Sequence, residues 1–247
     1  RGYTPESLQL FAERIGVTKS DSWIDYATLE GCLREDLDPK AARAMAVLEP
    51  LKLIITNWPD ETSTTDNSAT VHPNVPERGT RQFKFGKELW IERSDFSDAP
   101  EKGYHRLYVG NQVRLKYGYV VKCTGFAKDA AGAITEVHAE YFPESKSGSP
   151  TSGNYKAKGV ITWVAVADAV EAEVRLYDRL FNDEQPDAGG KDFLKALNPD
   201  SLKVVRAFVE PALARALPDE KFQFERHGYF VADRVDHSAG KLVFNKI

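Results

Sequence analysis

Cations and aromatic residues alternate through positions 102 to 128, a stretch that contains neither Asp nor Glu. A planar Arg guanidinium can donate two parallel hydrogen bonds to a phosphate or to the edge of a base. A Tyr ring offers a flat face on which an unstacked base can lie. Nucleic-acid binding and an ordinary solvated strand face both fit this composition. The cations are Lys102, Arg106, Arg114, Lys116, Lys122 and Lys128, and the aromatic residues among them are Tyr104, Tyr108, Tyr117, Tyr119 and Phe126.

Residues 113–122 of this stretch alternate with a period of two, which predicts one continuous strand. Arg114, Lys116 and Lys122 would share one face of that strand. Gly118 lies between them on the same face and would leave a gap through which a flat ligand could approach the backbone. A strand that carries Lys and Arg only for solubility would show the same pattern.

A second candidate is the run 221–230, in which Phe222 and Phe224 point to one side while Gln223 and Glu225 point to the other. A Gln side chain has both a donor and an acceptor, so Gln223 could read the edge of a base. The alternative is a barrel strand with a polar exterior.

Catalytic motifs are absent from the sequence. It contains no Gly-rich phosphate loop, no nucleophile elbow and no zinc-protease motif, and its five His residues do not cluster at metal-ligand spacing. The two Cys residues, Cys32 and Cys123, are far apart and share no redox or metal spacing, so we expect reduced thiols. The sequence therefore predicts neither a catalytic centre nor a metal site in these residues.

The formal net charge is −4, but the acidic residues lie outside the basic stretch, so the local field there is positive. No apolar run is long enough to cross a membrane, and no secretory leader precedes the first helix. We therefore expect a cytoplasmic protein without a membrane segment. The chain begins with Arg1 and ends in the strand-like run 242–247, so both ends look cut from a longer protein.

Helical signals are confined to the first forty or so residues. Thr4-Pro5-Glu6 combines a capping hydroxyl, a Pro at the first helical position and an early acid, and Gly16 ends that helix. A second helix is predicted from near Asp21, and a third from Asp38-Pro39 past Arg43. From Met45 onward the period changes to two, and short strand-like runs alternate with turn residues without a βαβ rhythm.

These patterns predict a mainly β protein, with a short N-terminal helical subdomain followed by two antiparallel β-barrels, one proximal and one distal. The predicted helical subdomain covers residues 1–43. The proximal barrel is assigned to 44–98 plus 166–247, and the distal barrel, which contains the basic stretch, to 99–165 inserted between them.

Ten runs in one order along nearly the whole chain resemble the C-terminal half of bacterial glutaminyl-tRNA synthetases. They are RGYT (1–4), RIGVTK (14–19), RAMAV (43–47), PLKL (50–53), ELWIERSDF (88–96), KGVITWV (158–164), EVRLYDRLF (173–181), LNPDSL (197–202), FQFER (222–226) and FN (244–245). The resemblance implies stem-contact helices followed by two barrels that bind the anticodon loop, in agreement with the pattern-based prediction.

The same resemblance implies the partners and cofactors. The family joins glutamine to its tRNA using ATP with magnesium in an upstream catalytic domain whose signature motifs do not occur here. We therefore expect these residues to hold no cofactor, to have no catalytic activity alone, and to bind glutamine tRNA through the anticodon stem-loop and inner stem as a monomer.

Functional residues follow from the resemblance where the local match is clear. Arg43, Gln223 and Arg226 resemble residues that reach the middle anticodon base. Arg106 resembles the one that reads the third base, although Gly103 and His105 replace more polar or basic neighbours. The remaining predicted tRNA contacts are Arg114 near the first base, Lys19 beside the stem-loop, Lys116 at a phosphate where the family can have Arg, and Lys122 at a phosphate.

Three other interpretations remain open. A glutamyl-tRNA synthetase of the archaeal or eukaryotic type shares this barrel ancestry. A stand-alone β-barrel RNA-binding module, similar to barrels that bind 5S ribosomal RNA, would explain the basic stretch but not the match in the N-terminal helices. The third is a scaffold without any nucleic-acid partner, in which the basic stretch would serve only as soluble surface.

Overall fold

The computed structural model describes residues 2–247, so Arg1 of the first matching run lies outside the described residues. Helix α1 (Pro5–Ile15) begins as its sequence predicts: Ser7 N donates to Thr4 Oγ1 at 3.1 Å, and Gly16 ends the helix with a φ of 69°. Helix α2 (Tyr26–Leu37) begins later than predicted, where the Asp25 carboxylate accepts a hydrogen bond from Ala27 N at 2.9 Å. Neither helix, nor any other helix of the described chain, is long and apolar enough to span a membrane.

The predicted third helix is wrong. Ala41 N closes a turn onto Leu37 O at 2.8 Å, and the chain then enters a strand at Ala42 instead of continuing as a helix. Arg43 N donates to Val71 O at 2.8 Å, so tertiary hydrogen bonds outweigh the local helical signal of Asp38-Pro39.

Sixteen strands follow α2 in the described chain. They are β1 (Ala42–Ala44), β2 (Ala46–Val47), β3 (Pro50–Ile55), β4 (Thr64–Thr70), β5 (Thr80–Gly86), β6 (Glu88–Glu92), β7 (Gln112–Leu115), β8 (Val120–Lys128), β9 (Ile134–Tyr141), β10 (Gly159–Ile161), β11 (Trp163–Ala165), β12 (Val170–Tyr177), β13 (Leu202–Val209), β14 (Lys221–Phe224), β15 (Gly228–Ala232) and β16 (Leu242–Lys246).

Two seven-stranded sheets each curl into a nearly closed barrel, which confirms the mainly β fold with two barrels. The first barrel has the order β1-β14-β15-β16-β12-β13-β2, and the second has the order β10-β7-β8-β9-β3-β6-β11. The two edges of the first barrel, β1 and β2, are consecutive segments separated by Met45 alone, and Thr162 separates β10 from β11 in the same way. Each barrel is thus closed around one interrupted strand.

The barrels are not purely antiparallel. Strands β1 and β14, β7 and β10, β3 and β9, and β12 and β16 pair in parallel, while the other described pairings are antiparallel. Two of the parallel pairings join one half of an interrupted strand to the strand at one end of the order, while the other half pairs with the strand at the other end, so each sheet closes on itself.

The structure divides the strands between the barrels differently from the predicted boundaries. The first barrel takes residues 42–47 and 170–246, whereas β3 and β6, predicted to belong with it, pair with strands of the second barrel. Leu51, Leu53 and Ile55 of β3 point into the same buried core as Leu115 and Trp163 of the second barrel. A ribbon of β4 and β5 extends from that barrel.

The predicted continuous strand 113–122 is a hairpin. Strands β7 and β8 are joined by a tight turn in which Tyr117 adopts a φ of 60° and Leu115 N donates to Tyr119 O at 2.8 Å. Arg114 and Lys122 still share a face across the hairpin, because Arg114 lies opposite Val120 and Lys122 opposite Gln112. Lys116 is carried by the turn instead.

Candidate nucleic-acid interface

The parallel pairing of β1 with β14 places Arg43 directly beside Gln223, and Gln223 lies opposite Tyr229 on β15. The Arg43 guanidinium is buried and donates to Asp38 Oδ1 at 2.8 Å and to Ala41 O at 3.0 Å. Tyr229 Oη donates to the same Asp38 oxygen at 3.2 Å. Two of the residues predicted to reach one base are therefore neighbours, in a row where Arg43 supplies donors and Gln223 and Tyr229 can both donate and accept hydrogen bonds.

The turn between β14 and β15, residues 225–227, contacts the second barrel, and we call it the inter-barrel turn. Its Glu225 and Arg226 side chains bind residues of that barrel, and His227 Nε2 lies 3.0 Å from Glu92 Oε1. Its middle residue, Arg226, has a φ of 73°. The guanidinium of Arg226 donates to both oxygens of Asp95, at 2.6 and 2.7 Å. Because Gln223 and Arg226 lie on the same hairpin, this turn joins the Arg43 row to the second barrel.

Arg106 reaches the same carboxylate. Its Nε lies 3.3 Å from Asp95 Oδ1, and its Nη1 donates to Ser94 O at 3.2 Å. Tyr104 Oη donates to Ser94 O as well, at 3.2 Å, and burial raises the pKa of Tyr104, so its phenol is neutral near pH 7. The predicted third-base residue therefore lies beside the predicted middle-base residue Arg226, although they come from different barrels.

A cavity of about 480 Å³ opens beside Tyr104. Three of its lining residues, Lys102, Lys156 and Lys158, form no ion pair within residues 2–247, whereas many of the other cations have a carboxylate partner. The lining also includes one carboxylate, Glu101, and the side chains of His105, Tyr108, Asn111 and Gln112. Unpaired ammonium groups beside tyrosine rings match the chemistry of a nucleotide, with a phosphate and a flat base.

Arg114 is engaged by the protein itself. Its Nη1 donates to Ser145 O at 2.7 Å and to Ser147 Oγ at 3.3 Å, and its Nη2 donates to Ser152 O and Tyr155 O, both at 3.2 Å. The guanidinium thus fixes the loop that leads to the cavity-lining lysines.

Lys116 is bound between the barrels. Its ammonium forms a close ion pair with Glu225 of the inter-barrel turn, and the Tyr117 hydroxyl lies 3.0 Å from each oxygen of that carboxylate. Arg81 of the ribbon donates to Glu225 at 2.6 Å and to Glu210 at 2.7 Å. Lys116 therefore neutralises a buried carboxylate in this structure.

The last two predicted residues are exposed. Lys122 projects from β8 opposite Gln112, which lines the cavity, so it extends the row of cations at its rim. Lys19 lies in the exposed segment between α1 and α2, apart from the other predicted residues. The structure thus gathers Arg43, Gln223, Arg226, Arg106 and Lys122 along one path and leaves Lys19 outside it.

Residue types alone did not single out several members of this path. The alternation of Lys156 and Lys158 before a strand could have been recognised as a second basic run. Asp95, Tyr229 and Arg81 carry no such signal, because their partners are distant in the chain. No group of three or more His, Cys, Asp or Glu that could hold a metal ion occurs among residues 2–247.

Comparisons with known proteins identify relatives of the chain. Models of the anticodon-binding domain of class I tRNA synthetases, E and Q, match residues 41–142 and 160–233. Glutamine–tRNA ligases from Cupriavidus necator, Ralstonia pickettii and Bordetella avium are 63%, 60% and 56% identical over 247 residues. Each alignment covers 100% of this chain but 42%, 43% and 42% of the relative, so the chain spans about two fifths of the relatives' length.

Proposed function

The chain belongs to the class I glutamyl- and glutaminyl-tRNA synthetase family, in its anticodon-binding part, and on that premise we propose that it binds glutamine tRNA by the anticodon stem-loop and inner stem. The glutamine assignment rests on the 63% identity to a glutamine–tRNA ligase, which favours it over the glutamyl enzyme that the family models also include.

The observation that carries the proposal is the path of candidate contact residues that crosses from one barrel to the other. It runs from Arg43 and Gln223 through Arg226 and Arg106 to the cavity beside Tyr104. Three arginines and one glutamine offer donors at fixed positions, and the unpaired lysines add positive charge at one end. An anticodon loop presents the matching features, which are splayed bases with free edges and a phosphate backbone.

Each predicted residue has a role in this proposal. Arg43, Gln223 and Arg226 read the middle base, and Arg106 reads the third base. Arg114 acts near the first base by fixing the loop 145–155. The three lysines of the prediction contact the backbone: Lys122 and Lys116 at loop phosphates, the latter by exchanging Glu225 for a phosphate, and Lys19 at the anticodon stem.

The complete protein, on this proposal, joins glutamine to tRNA with ATP and magnesium, acts in the cytoplasm and is a monomer. The ATP would be held outside these 247 residues, because they contain no phosphate-binding loop. What these residues supply is recognition: they orient the tRNA and select it by its anticodon.

Binding of the 247-residue chain to glutamine tRNA, measured across a salt series, tests the proposal. The matched ligands are the same tRNA with its middle anticodon base changed and a glutamate tRNA. We expect the unaltered glutamine tRNA to bind more tightly by about 1–3 kcal/mol, the value of one good bidentate contact to a base.

Other results separate the alternatives. Equal, salt-sensitive binding of all three tRNAs would indicate a general RNA-binding module. Preference for the glutamate tRNA would indicate the glutamyl enzyme. No binding to any of them would contradict a role in tRNA recognition.

A further inference from the structure

Asp95 is a fully buried carboxylate whose side-chain partners in the structure are both cations. It follows β6 in a short helical turn of the second barrel. Arg226 occupies both of its oxygens, and Arg106 approaches Oδ1 as a second donor. A carboxylate can accept about four hydrogen bonds, so one Asp can serve both guanidinium groups at once.

The two arginines come from opposite sides of the barrel interface. Arg226 belongs to the inter-barrel turn of the first barrel, and Arg106 lies in the loop before β7 of the second barrel. The backbone supports the same arrangement, since Leu107 N donates to Asp95 O at 2.9 Å. Asp95 is therefore the fixed point against which both guanidinium groups are oriented.

The cluster keeps an excess of one positive charge, from two guanidinium groups and one carboxylate. Arg106 is 44% exposed and Arg226 is 27% exposed, whereas Asp95 is 0% exposed. Each guanidinium has five N–H donors and uses only some of them inside the cluster. Because both arginine side chains are partly exposed, a base or phosphate can reach donors that the cluster does not use.

Building on the proposed function, we infer that Asp95 is a positioning residue that couples recognition of the middle and third anticodon bases. It never touches the tRNA in this mechanism. If one guanidinium moves, the contact of Asp95 with the other guanidinium changes as well. Recognition of one base therefore affects recognition of the other.

The test uses two ratios for each variant of the 247-residue chain. Each ratio is the Kd for a glutamine tRNA changed at one anticodon base, middle or third, divided by the Kd for the unaltered tRNA. Asp95→Asn offers one acceptor oxygen and an amide that opposes the guanidinium donors, so we expect both ratios to fall by about tenfold. The matched control is Asp98→Asn, the same substitution three residues further along the chain, where the carboxylate binds Lys128 at 2.7 Å and neither arginine. It should leave both ratios within about twofold of the wild-type values, well short of the loss of one base contact.

A second variant keeps the inference testable if Asp95→Asn does not fold. Arg226→Ala should lower the ratio for the third base as well as the middle base, although Arg226 is assigned to the middle base alone. The inference is overturned if Arg226→Ala changes only the middle-base ratio. It is also overturned if Asp95→Asn keeps either wild-type ratio, or if Asp98→Asn lowers both ratios as much as Asp95→Asn does. Wild-type ratios near one would instead contradict the proposed function itself.

Discussion

At the scale of single residues, Arg81 is buried between the barrels with two carboxylates, Glu210 and Glu225. The side chains of Arg81, Glu210 and Glu225 are 3%, 1% and 6% exposed. Glu210 also accepts a hydrogen bond from Met45 N at 2.9 Å. Burial raises the pKa of Glu210 to about 7, against the opposing effect of Arg81, and the nearby Glu225 charge adds to the increase.

This shift predicts a pH dependence of stability. The pKa of a Glu in the unfolded chain is 4.5, below that of Glu210 in the folded chain. Between these values the folded state holds a proton that the unfolded state has lost. Protonation of Glu210 therefore contributes fully to the free energy of unfolding below the pKa of the unfolded chain. This contribution is lost as the pH rises through the pKa of the folded chain, by at most about 1.4 kcal/mol per pH unit.

Urea unfolding at intervals from pH 4.5 to 8 measures this effect. Wild type should lose stability relative to Glu210→Gln as the pH rises to 7, and the difference should then become constant. Glu171→Gln is the matched control, because Glu171 pairs with Arg206 on the surface, and it should keep the wild-type pH slope. If the stability of wild type and of Glu210→Gln changed in parallel with pH, the raised pKa of Glu210 in the folded chain would be contradicted.

The sequence could indicate candidate tRNA contacts but not the residues that hold those contacts in place. Gln223 and Arg226 were predictable because they lie in a short run that resembles the family, and Arg106 because it lies in the stretch 102–128 of alternating cations and aromatic residues. The partnership of Asp95 with Arg226 joins residues 131 positions apart, and no local period or spacing encodes it. An acidic residue after a strand is ordinarily solvated, so only the packing of the two barrels reveals its role.

At the scale of elements, β10 lies against the segment that carries Arg106. A Cβ added to Gly159, the first residue of β10, would lie 2.0 Å from His105 O and 3.1 Å from His105 C. No backbone contact can be that short, so only Gly allows the two segments to approach. This approach holds one wall of the cavity beside Tyr104 in place.

Gly159→Ala should therefore displace the segment around His105 and Arg106. Overpacking of this kind costs about 1–3 kcal/mol of folding free energy. We expect a lower melting temperature and a lower discrimination ratio for the third base, although residue 159 carries no recognition group. Gly153→Ala is the control, since a Cβ there meets nothing within 4 Å, and it should change neither quantity. An unaltered third-base ratio in Gly159→Ala would show that Arg106 does not depend on this contact.

Element boundaries show where local patterns lose information. The alternation of residues 113–122 continues through the turn at Tyr117, so period alone cannot distinguish a hairpin from a strand. The left-handed φ belongs to Tyr117, while the Gly that would signal such a turn stands one place later. Similarly, the alternation of β3 revealed its buried face but not which barrel that face would complete.

At the scale of the whole molecule, net charge and binding charge are separate quantities. The chain has a formal net charge of −4, yet Lys102, Lys156 and Lys158 line one cavity together with a single carboxylate, Glu101, and form no ion pair within residues 2–247. Many of the other cations are neutralised within the fold, among them Lys116 by Glu225 and Lys203 by Glu49. The field that an approaching polyanion meets is therefore set by the unpaired cations.

Salt dependence of tRNA binding reports how many cations replace counterions on the phosphates. Each contact contributes roughly 0.7–0.9 to the slope of log affinity against log salt concentration. We expect the double variant Lys156→Ala, Lys158→Ala to reduce that slope by about 1.4–1.8 and to weaken all tRNAs alike. The double control Lys191→Ala, Lys203→Ala removes the same formal charge from lysines bound to Asp183 and Glu49, and it should keep the wild-type slope. If both double variants reduced the slope equally, the overall charge of the chain would govern binding. The cavity would then not be the phosphate-binding site.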